Sequence, residues 1–230
     1  MSLNKSKGNM YSFVTHTWNP LGGECPHKCS YCSTKKFYYP VLKEKYSGEP
    51  KLCKEMLNDN LGKNNFVFVV AQNDLFAKEI PGEWIYSVLA HCDESPDNSY
   101  LFQSKNPKRM LDFQWFLPKK SVVCTTIETN RWHPEIMKTA PSPIERAESM
   151  ILLSERGVKT YITIEPIMDF DLDEMVKIIK WCSPEQVNIG ADSGNNNLPE
   201  PSKEKVLQLI EELQKFTVIH NKSNLKRLTK

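Results

Sequence analysis

Six stretches of strand character, each followed by helical character, constrain this chain more than any other feature. Phe66-Val67-Phe68-Val69-Val70-Ala71 is a continuous apolar run of strand length. A strand apolar at every position is buried on both faces, as happens in a parallel sheet covered by helices. Tyr11 to Thr17 reads as a short strand before it, and Tyr100 to Gln103, Val122 to Ile127, Lys159 to Glu165 and Gln186 to Gly190 read as strands after it. Helices are expected at about Glu83 to His91, Pro107 to Phe116, Ser142 to Arg156, Asp171 to Trp181 and Ser202 to Phe216. The clearest of these has Ser142 as N-cap, Pro143 at the first position, Glu145 in the first turn and Gly157 past the end. Ser30 to Tyr46 is helix-capable but broken by Pro40, a short helix is expected around Lys51 to Leu57, and Val218-Ile219 reads as a short last strand. Parallel neighbours need crossovers and helices supply them, so the class is α/β. A doubly wound open sheet and a partial barrel both satisfy this pattern.

A chain of 230 residues is long enough for one sizeable core. We expect a single core domain over 11–220, between a flexible N-terminal tail at 1–10 and a basic C-terminal tail at 221–230. A net charge of +2 is too small to imply nucleic acid by bulk electrostatics, although Lys5 to Lys7 and Lys222 to Lys230 are locally basic. No apolar run approaches the roughly 18 residues of a membrane span, and the polar N-terminus lacks a signal-like apolar segment. A cytoplasmic protein with no membrane partner is expected. Seven cysteines is an odd count, and reduced surroundings argue against a disulfide framework. Cys53, Cys92, Cys124 and Cys182 are scattered and read as small core hydrophobes.

The other three cysteines are grouped. Gly22-Gly23-Glu24-Cys25-Pro26-His27-Lys28-Cys29-Ser30-Tyr31-Cys32 sets three thiols within eight residues, so one loop can wrap them around one metal centre. An iron–sulfur cluster held by three thiolates keeps one iron free for another ligand. The alternative is a closed tetrahedral zinc site in a structural or interaction module, with Cys53, His27 or His16 as fourth ligand. Metal analysis separates the two.

The spacing Cys-xxx-Cys-xx-Cys, with aromatic Tyr31 before the third cysteine, resembles the motif of the radical S-adenosylmethionine (SAM) enzymes. The resemblance implies an open partial TIM-type barrel of six βα units with parallel strands, the cysteine loop following the first strand. It also implies a 4Fe-4S cluster on Cys25, Cys29 and Cys32, whose open iron binds SAM. One-electron reduction then cleaves SAM to methionine and a 5′-deoxyadenosyl radical that abstracts hydrogen from a substrate. A flavodoxin- or ferredoxin-type donor would supply the electron.

Functional loops of βα barrels lie at the C-terminal strand ends. There the resemblance assigns Tyr31 to the adenine, and Asn73 and Asp74, in place of a Gly-Gly-Glu-like segment, to the SAM amino group. Lys105 or Arg109 would neutralise its carboxylate. Glu128 would take the ribose, with Thr126 and Cys124 on the same strand face; Glu165 and Gly190 would border the adenosyl part. An inward Cys124 is a candidate hydrogen donor, the role a cysteine plays in the related spore photoproduct lyases. Strand ends reading Gln-Asn-Asp-Leu-Phe, Lys-Asn-Pro, Thr-Ile-Glu, Glu-Pro and Gly-Ala-Asp-Ser-Gly most resemble a phage- and mobile-element-associated branch. An open barrel with little chain beyond its core needs a macromolecular substrate or partner protein over its mouth. Lys28, Lys35, Lys36, Tyr38 and Tyr39 suit phosphate contact and base stacking, so nucleic acid or a nucleotide is the expected substrate.

Overall fold

The computed structural model describes residues 3–6 and 10–230. Strand β1 (Leu3–Lys5) pairs antiparallel with β2 (His16–Trp18). A separate two-stranded ribbon, β3 (Leu21–Gly22) with β4 (Lys51–Leu52), brackets the cysteine loop. The main sheet continues from β2 through β5 (Phe66–Val69), β6 (Ser99–Gln103), β7 (Ser121–Thr126), β8 (Thr160–Ile164), β9 (Gln186–Ile189) and β10 (Val218–Asn221). Every pair from β2 to β10 is parallel, with Trp18 beside Val69, Val69 beside Phe102, Gln103 beside Cys124, Thr126 beside Thr163 and Ile164 beside Ile189. Among the described residues nothing pairs β10 with β1, so the barrel is open.

Strand parity divides the interior in two. Val67, Val69, Tyr100, Phe102, Val123, Ile162, Ile164, Val187 and Ile189 form the main core. Its helical side comes from α2 (Gly82–Asp93), α3 (Pro107–Phe113), α5 (Pro143–Glu155), α6 (Leu172–Cys182) and α7 (Lys203–Gln214); the short α1 (Pro40–Lys45) precedes them and the short α4 (Pro134–Met137) lies between α3 and α5. Alternate residues Phe68, Leu101, Val122, Cys124 and Tyr161 face the lumen, joined there by Tyr11 and Val14. The start of α5 is the expected capping box, Ser142 accepting from Glu145 N while Glu145 accepts from Ser142 N. Among the described residues no helix is long and apolar enough to cross a membrane.

Several local expectations change. Only His16–Trp18 of the first stretch is strand; Tyr11 and Phe13 instead turn inward, stacked at 5.4 Å, with Phe13 against Phe66 at 5.0 Å and edge-on to Tyr161 at 5.5 Å. These rings fill the lower lumen, and burying them outweighs extending the strand. Lys51 to Leu57 forms β4 and a 3-10 turn at Lys54–Asn58, while Ser30 to Tyr46 yields only the 3-10 turn Ser33–Lys36 and α1. Both terminal segments are structured where described. Leu3–Lys5 is an edge strand, and beyond β10 a turn at Ser223–Leu225 leads into α8 (Lys226–Thr229), with Leu225 buried. Positions 1, 2 and 7–9 of the expected N-terminal tail lie outside the described residues.

Candidate active site

A cavity of about 430 Å³ opens at the C-terminal strand ends, and Cys25, Cys29 and Cys32 all line it. Cys29 is buried and the other two are half-buried. Burial pushes the Cys25 and Cys29 thiols up, and the thiols lie near enough to raise one another further. Among the described residues no three Cys, His, Asp or Glu side chains close around a metal position, so fit is judged on the donor set. His27 Nε2 is 2.9 Å from Asp74 Oδ2, His16 Nδ1 is 3.0 Å from Thr15 Oγ1, and Cys53 packs against the main core. Of the fourth zinc donors offered by the sequence, only His27 lines the cavity with the thiols, and its Nε2 is taken by Asp74. Three soft donors on one cavity wall fit a group that takes three protein ligands and keeps one position open.

Two buried carboxylates hold this loop from behind. Asp74 Oδ1 accepts from Ser104 Oγ at 2.7 Å and Phe76 N at 3.0 Å, while Oδ2 faces His27 and accepts from Lys105 N at 2.8 Å. Burial alone would raise its pKa, but His27 and these donors outweigh burial and hold the carboxyl below its usual range. Asn73 Nδ2 donates to Gly23 O at 2.9 Å, where the chain has φ +81°. A Cβ on Gly23 would lie 2.1 Å from Glu49 O, so glycine is required there. On the other flank Tyr31 donates its hydroxyl to Glu128 Oε1, and Arg146 Nη1 reaches Glu128 Oε2 at 2.8 Å. Arg146 also donates to Thr126 O and Pro141 O, each at 2.7 Å. Glu128 and Arg146 are both fully buried. For Glu128 too, burial is outweighed, chiefly by Arg146 and then Lys105, and its pKa is lowered. Helix α4, ahead of α5, closes the support, Ile136 O accepting from Ser30 N at 2.9 Å.

The site residues expected from sequence therefore separate. Tyr31, Asn73, Asp74, Lys105, Thr126 and Glu165 line the cavity with the cysteines. Asp74, expected at the SAM amino group, has both oxygens committed to protein. Glu128, expected at the ribose, is off the cavity wall and wholly taken by Tyr31 and Arg146; its strand-end position let the side chain turn under α5. Lys105 keeps only loose partners, Thr126 Oγ1 at 3.5 Å and Glu128 Oε1 at 4.0 Å, and its ammonium lies 5.3 Å from the Tyr31 ring centre. Arg109 donates to Ala77 O and Lys78 O instead of entering the cavity. Glu165 Oε2 meets Lys222 Nζ at 2.5 Å and Oε1 accepts from Asn224 Nδ2 at 3.0 Å. A Cβ on Gly190 would lie 2.7 Å from Glu165 Oε1, so Gly190 makes room for this carboxylate rather than for a ligand. Cys124 faces the lumen as expected but is fully buried below the cavity, where burial pushes its thiol up.

Sequence reasoning missed Arg146, Lys222 and Tyr11. Glu145-Arg146-Ala147-Glu148 reads as a solvated helix face, and only the mismatch of an arginine among apolar i+4 positions hinted otherwise. Tyr11 hydrogen-bonds Gln103 Oε1 at 2.8 Å on the cavity floor, under the Lys222 ammonium at 4.6 Å from its ring centre.

The fold is shared with solved structures. A mutant spore photoproduct lyase with bound AdoMet and dinucleoside spore photoproduct aligns at a TM-score of 0.65 and 9% identity, over 94% of this chain and 78% of that one. Streptococcus suis SuiB bound to precursor peptide SuiA aligns at a TM-score of 0.60 and 12% identity, over 89% of this chain and 48% of SuiB. SuiB bound to S-adenosylmethionine aligns at a TM-score of 0.58 and 13% identity. At such identities the likeness is one of fold, and it agrees with the expected α/β partial barrel. No curated protein sequence matches the chain. Residues 9–218, from ahead of β2 to the start of β10, match the family described as "Protein of unknown function (DUF5131)", and the chain belongs to that family.

Proposed function

We propose that the chain is a radical SAM enzyme of the phage- and mobile-element-associated branch, working in the cytoplasm with a flavodoxin- or ferredoxin-type electron donor. One observation carries this reading: Cys25, Cys29 and Cys32 line a single cavity at the C-terminal strand ends, and among the described residues no fourth protein donor completes a closed site with them. These cysteines would hold a 4Fe-4S cluster. When bound, cluster and SAM together supply one-electron cleavage of the sulfonium, giving methionine and a 5′-deoxyadenosyl radical that takes hydrogen from the substrate.

The chain's own residues position and shield. Lys105, loosely held and on the cavity wall, offers its ammonium to the SAM carboxylate, and Thr126 beside it offers a hydroxyl. Tyr31 contributes a ring fixed at its hydroxyl end by Glu128. Glu165 borders the far side, with Gly190 packed against its carboxylate. Asn73, Asp74 and Glu128 act through the loop they hold, keeping the thiols in place for the cluster. Cys124 lies one layer down, so its proposed role as hydrogen donor requires the reacting carbon to enter the lumen. Nucleic acid or a nucleotide is the substrate class; the lyase of like fold was solved with a dinucleoside. A partner protein remains the other way to cover the open mouth.

The test is anaerobic reconstitution followed by reduction with SAM and mass-spectrometric assay of 5′-deoxyadenosine. Iron and sulfide near about four each per chain and 5′-deoxyadenosine from wild type but not Cys32→Ala are expected. Stoichiometric zinc without 5′-deoxyadenosine would refute the proposal.

A further inference from the structure

Among the described residues some lysines face a carboxylate and others do not. Lys63, Lys159, Lys205, Lys215 and Lys222 each face a carboxylate, as in Lys159 to Glu185 at 2.6 Å and Lys215 to Glu212 at 2.6 Å. The run from Cys25 to Lys43 holds Lys28, Lys35, Lys36 and Lys43 and no Asp or Glu. None of these four is ion-paired among the described residues. Lys35 donates to Lys28 O at 3.0 Å and Cys29 O at 2.9 Å, and Lys36 donates to Gly194 O. Carbonyls aim the Lys35 and Lys36 ammonium groups, and of the two Lys36 also lies within electrostatic reach of Asp192. Glu24 and Glu44 only flank the run.

The same run carries exposed rings. Tyr38 is 89% exposed and Tyr39 73%, on backbone that is extended at Phe37 and Tyr39, while Phe37 is anchored against Tyr46 at 5.6 Å. The contact with Tyr46 holds one ring down and leaves the next two in solvent. Cys32, Ser33 and Thr34, at the start of this segment, line the cavity, and Lys36 reaches across to the loop after β9.

Uncancelled cations beside open aromatic faces are the elements of single-strand recognition, in which lysines track phosphates and rings stack on bases. A duplex hides its base faces, and an acidic peptide would use the lysines but not the paired tyrosines. We infer that Cys25 to Lys43 is a platform for an unpaired polynucleotide strand, with Tyr38 and Tyr39 stacking on bases, Lys28 and Lys43 on phosphates, and the strand led to the mouth beside Cys32. The inference deepens the proposed substrate class and rests on that reading for what happens to the nucleotide, though not for its binding.

Fluorescence anisotropy tests it, with labelled single-stranded DNA and RNA of about 15 nucleotides, the matching duplex, and the full chain both cluster-loaded and cluster-free. Single strands are expected to bind at least tenfold more tightly than duplex, the tighter of DNA and RNA naming the sugar. Tyr38→Ala with Tyr39→Ala should weaken binding at least tenfold without changing its salt dependence. Lys28→Gln with Lys43→Gln should reduce the slope of log K against log salt by about 1.4, from about 0.7 per phosphate. Circular dichroism melts of both variants should match wild type. Duplex binding as tight as single strand, polyglutamate competing as well as oligonucleotide, or an unaffected tyrosine variant would each overturn the platform. Oligonucleotide binding without 5′-deoxyadenosine would sink the radical reading alone; 5′-deoxyadenosine without oligonucleotide binding would sink the platform alone.

Discussion

The two sides of the cavity mouth use charge in opposite ways. On the side of β8, β9 and the C-terminal segment, charges are paired around the mouth, Glu165 with Lys222 half-buried and Arg227 with Glu200 nearer solvent. Glu165 meets Lys222 at 2.5 Å, Arg227 meets Glu200 at 2.5 and 2.7 Å, and Arg227 also donates to Asp192 O at 3.1 Å. On the cysteine side the surface lysines are unpaired, and the ionic contacts that hold the loop are withdrawn behind it, to Asp74 with His27 and Glu128 with Arg146. Surface pairs are screened by salt and worth little singly, whereas a buried pair is costly to break because its survivor is left uncompensated. One side spends its charges on closure. The other leaves its surface lysines without ion pairs among the described residues, as the proposed platform requires, and takes its rigidity from the interior.

The strongest attack on this contrast is Arg146→Leu, which strands Glu128 in the core. It should cost about 3–5 kcal/mol in urea denaturation, with much of the loss recovered when Glu128→Gln is added; a cost below about 1 kcal/mol would mean the cysteine side is not held from within. Acid is the next largest perturbation. Asp74 and Glu128 have pKa values lowered by folding, so their stabilisation is complete above the unfolded values, about 3.9 and 4.3, and is lost as pH falls through the folded ones. The urea midpoint should therefore be nearly flat from neutrality to about pH 5 and fall below that, more shallowly in Asp74→Asn. On the opposite side, Gly190→Ala drives a methyl into the Glu165 carboxylate. A loss of about 1–3 kcal/mol is expected, relieved by Glu165→Ala. Least of all, Lys28→Gln with Lys43→Gln should shift stability by no more than about 0.5 kcal/mol, which separates ligand-directed from fold-directed charge.

How much of this was legible follows from the range of the forces involved. The six βα units could be read because burial on both faces of a parallel strand leaves a continuous apolar run, as in Phe66 to Ala71, and because helix ends carry local signals such as Ser142 and Glu145. The cysteine loop was legible since its three thiols fall within eight residues. Three-residue strands such as β1 and β2 give no periodic signal. The basic C-terminus looked solvated because its partners Glu165, Asp192 and Glu200 lie 27 to 57 residues away in the chain. Glu128 and Asp74 were placed at the right strand ends, yet sequence carries no sign of which way a side chain turns, and Arg146 resembled any helix-surface cation.

The stacked rings of Tyr11 and Phe13, wedged against Phe66, Phe68 and Tyr161, stopper the lower barrel. Among the described residues this aromatic floor leaves the strand-end mouth as the way into the cavity. If the proposed function holds, a small molecule seated there would bind before a large ligand covered the mouth, and would leave after it.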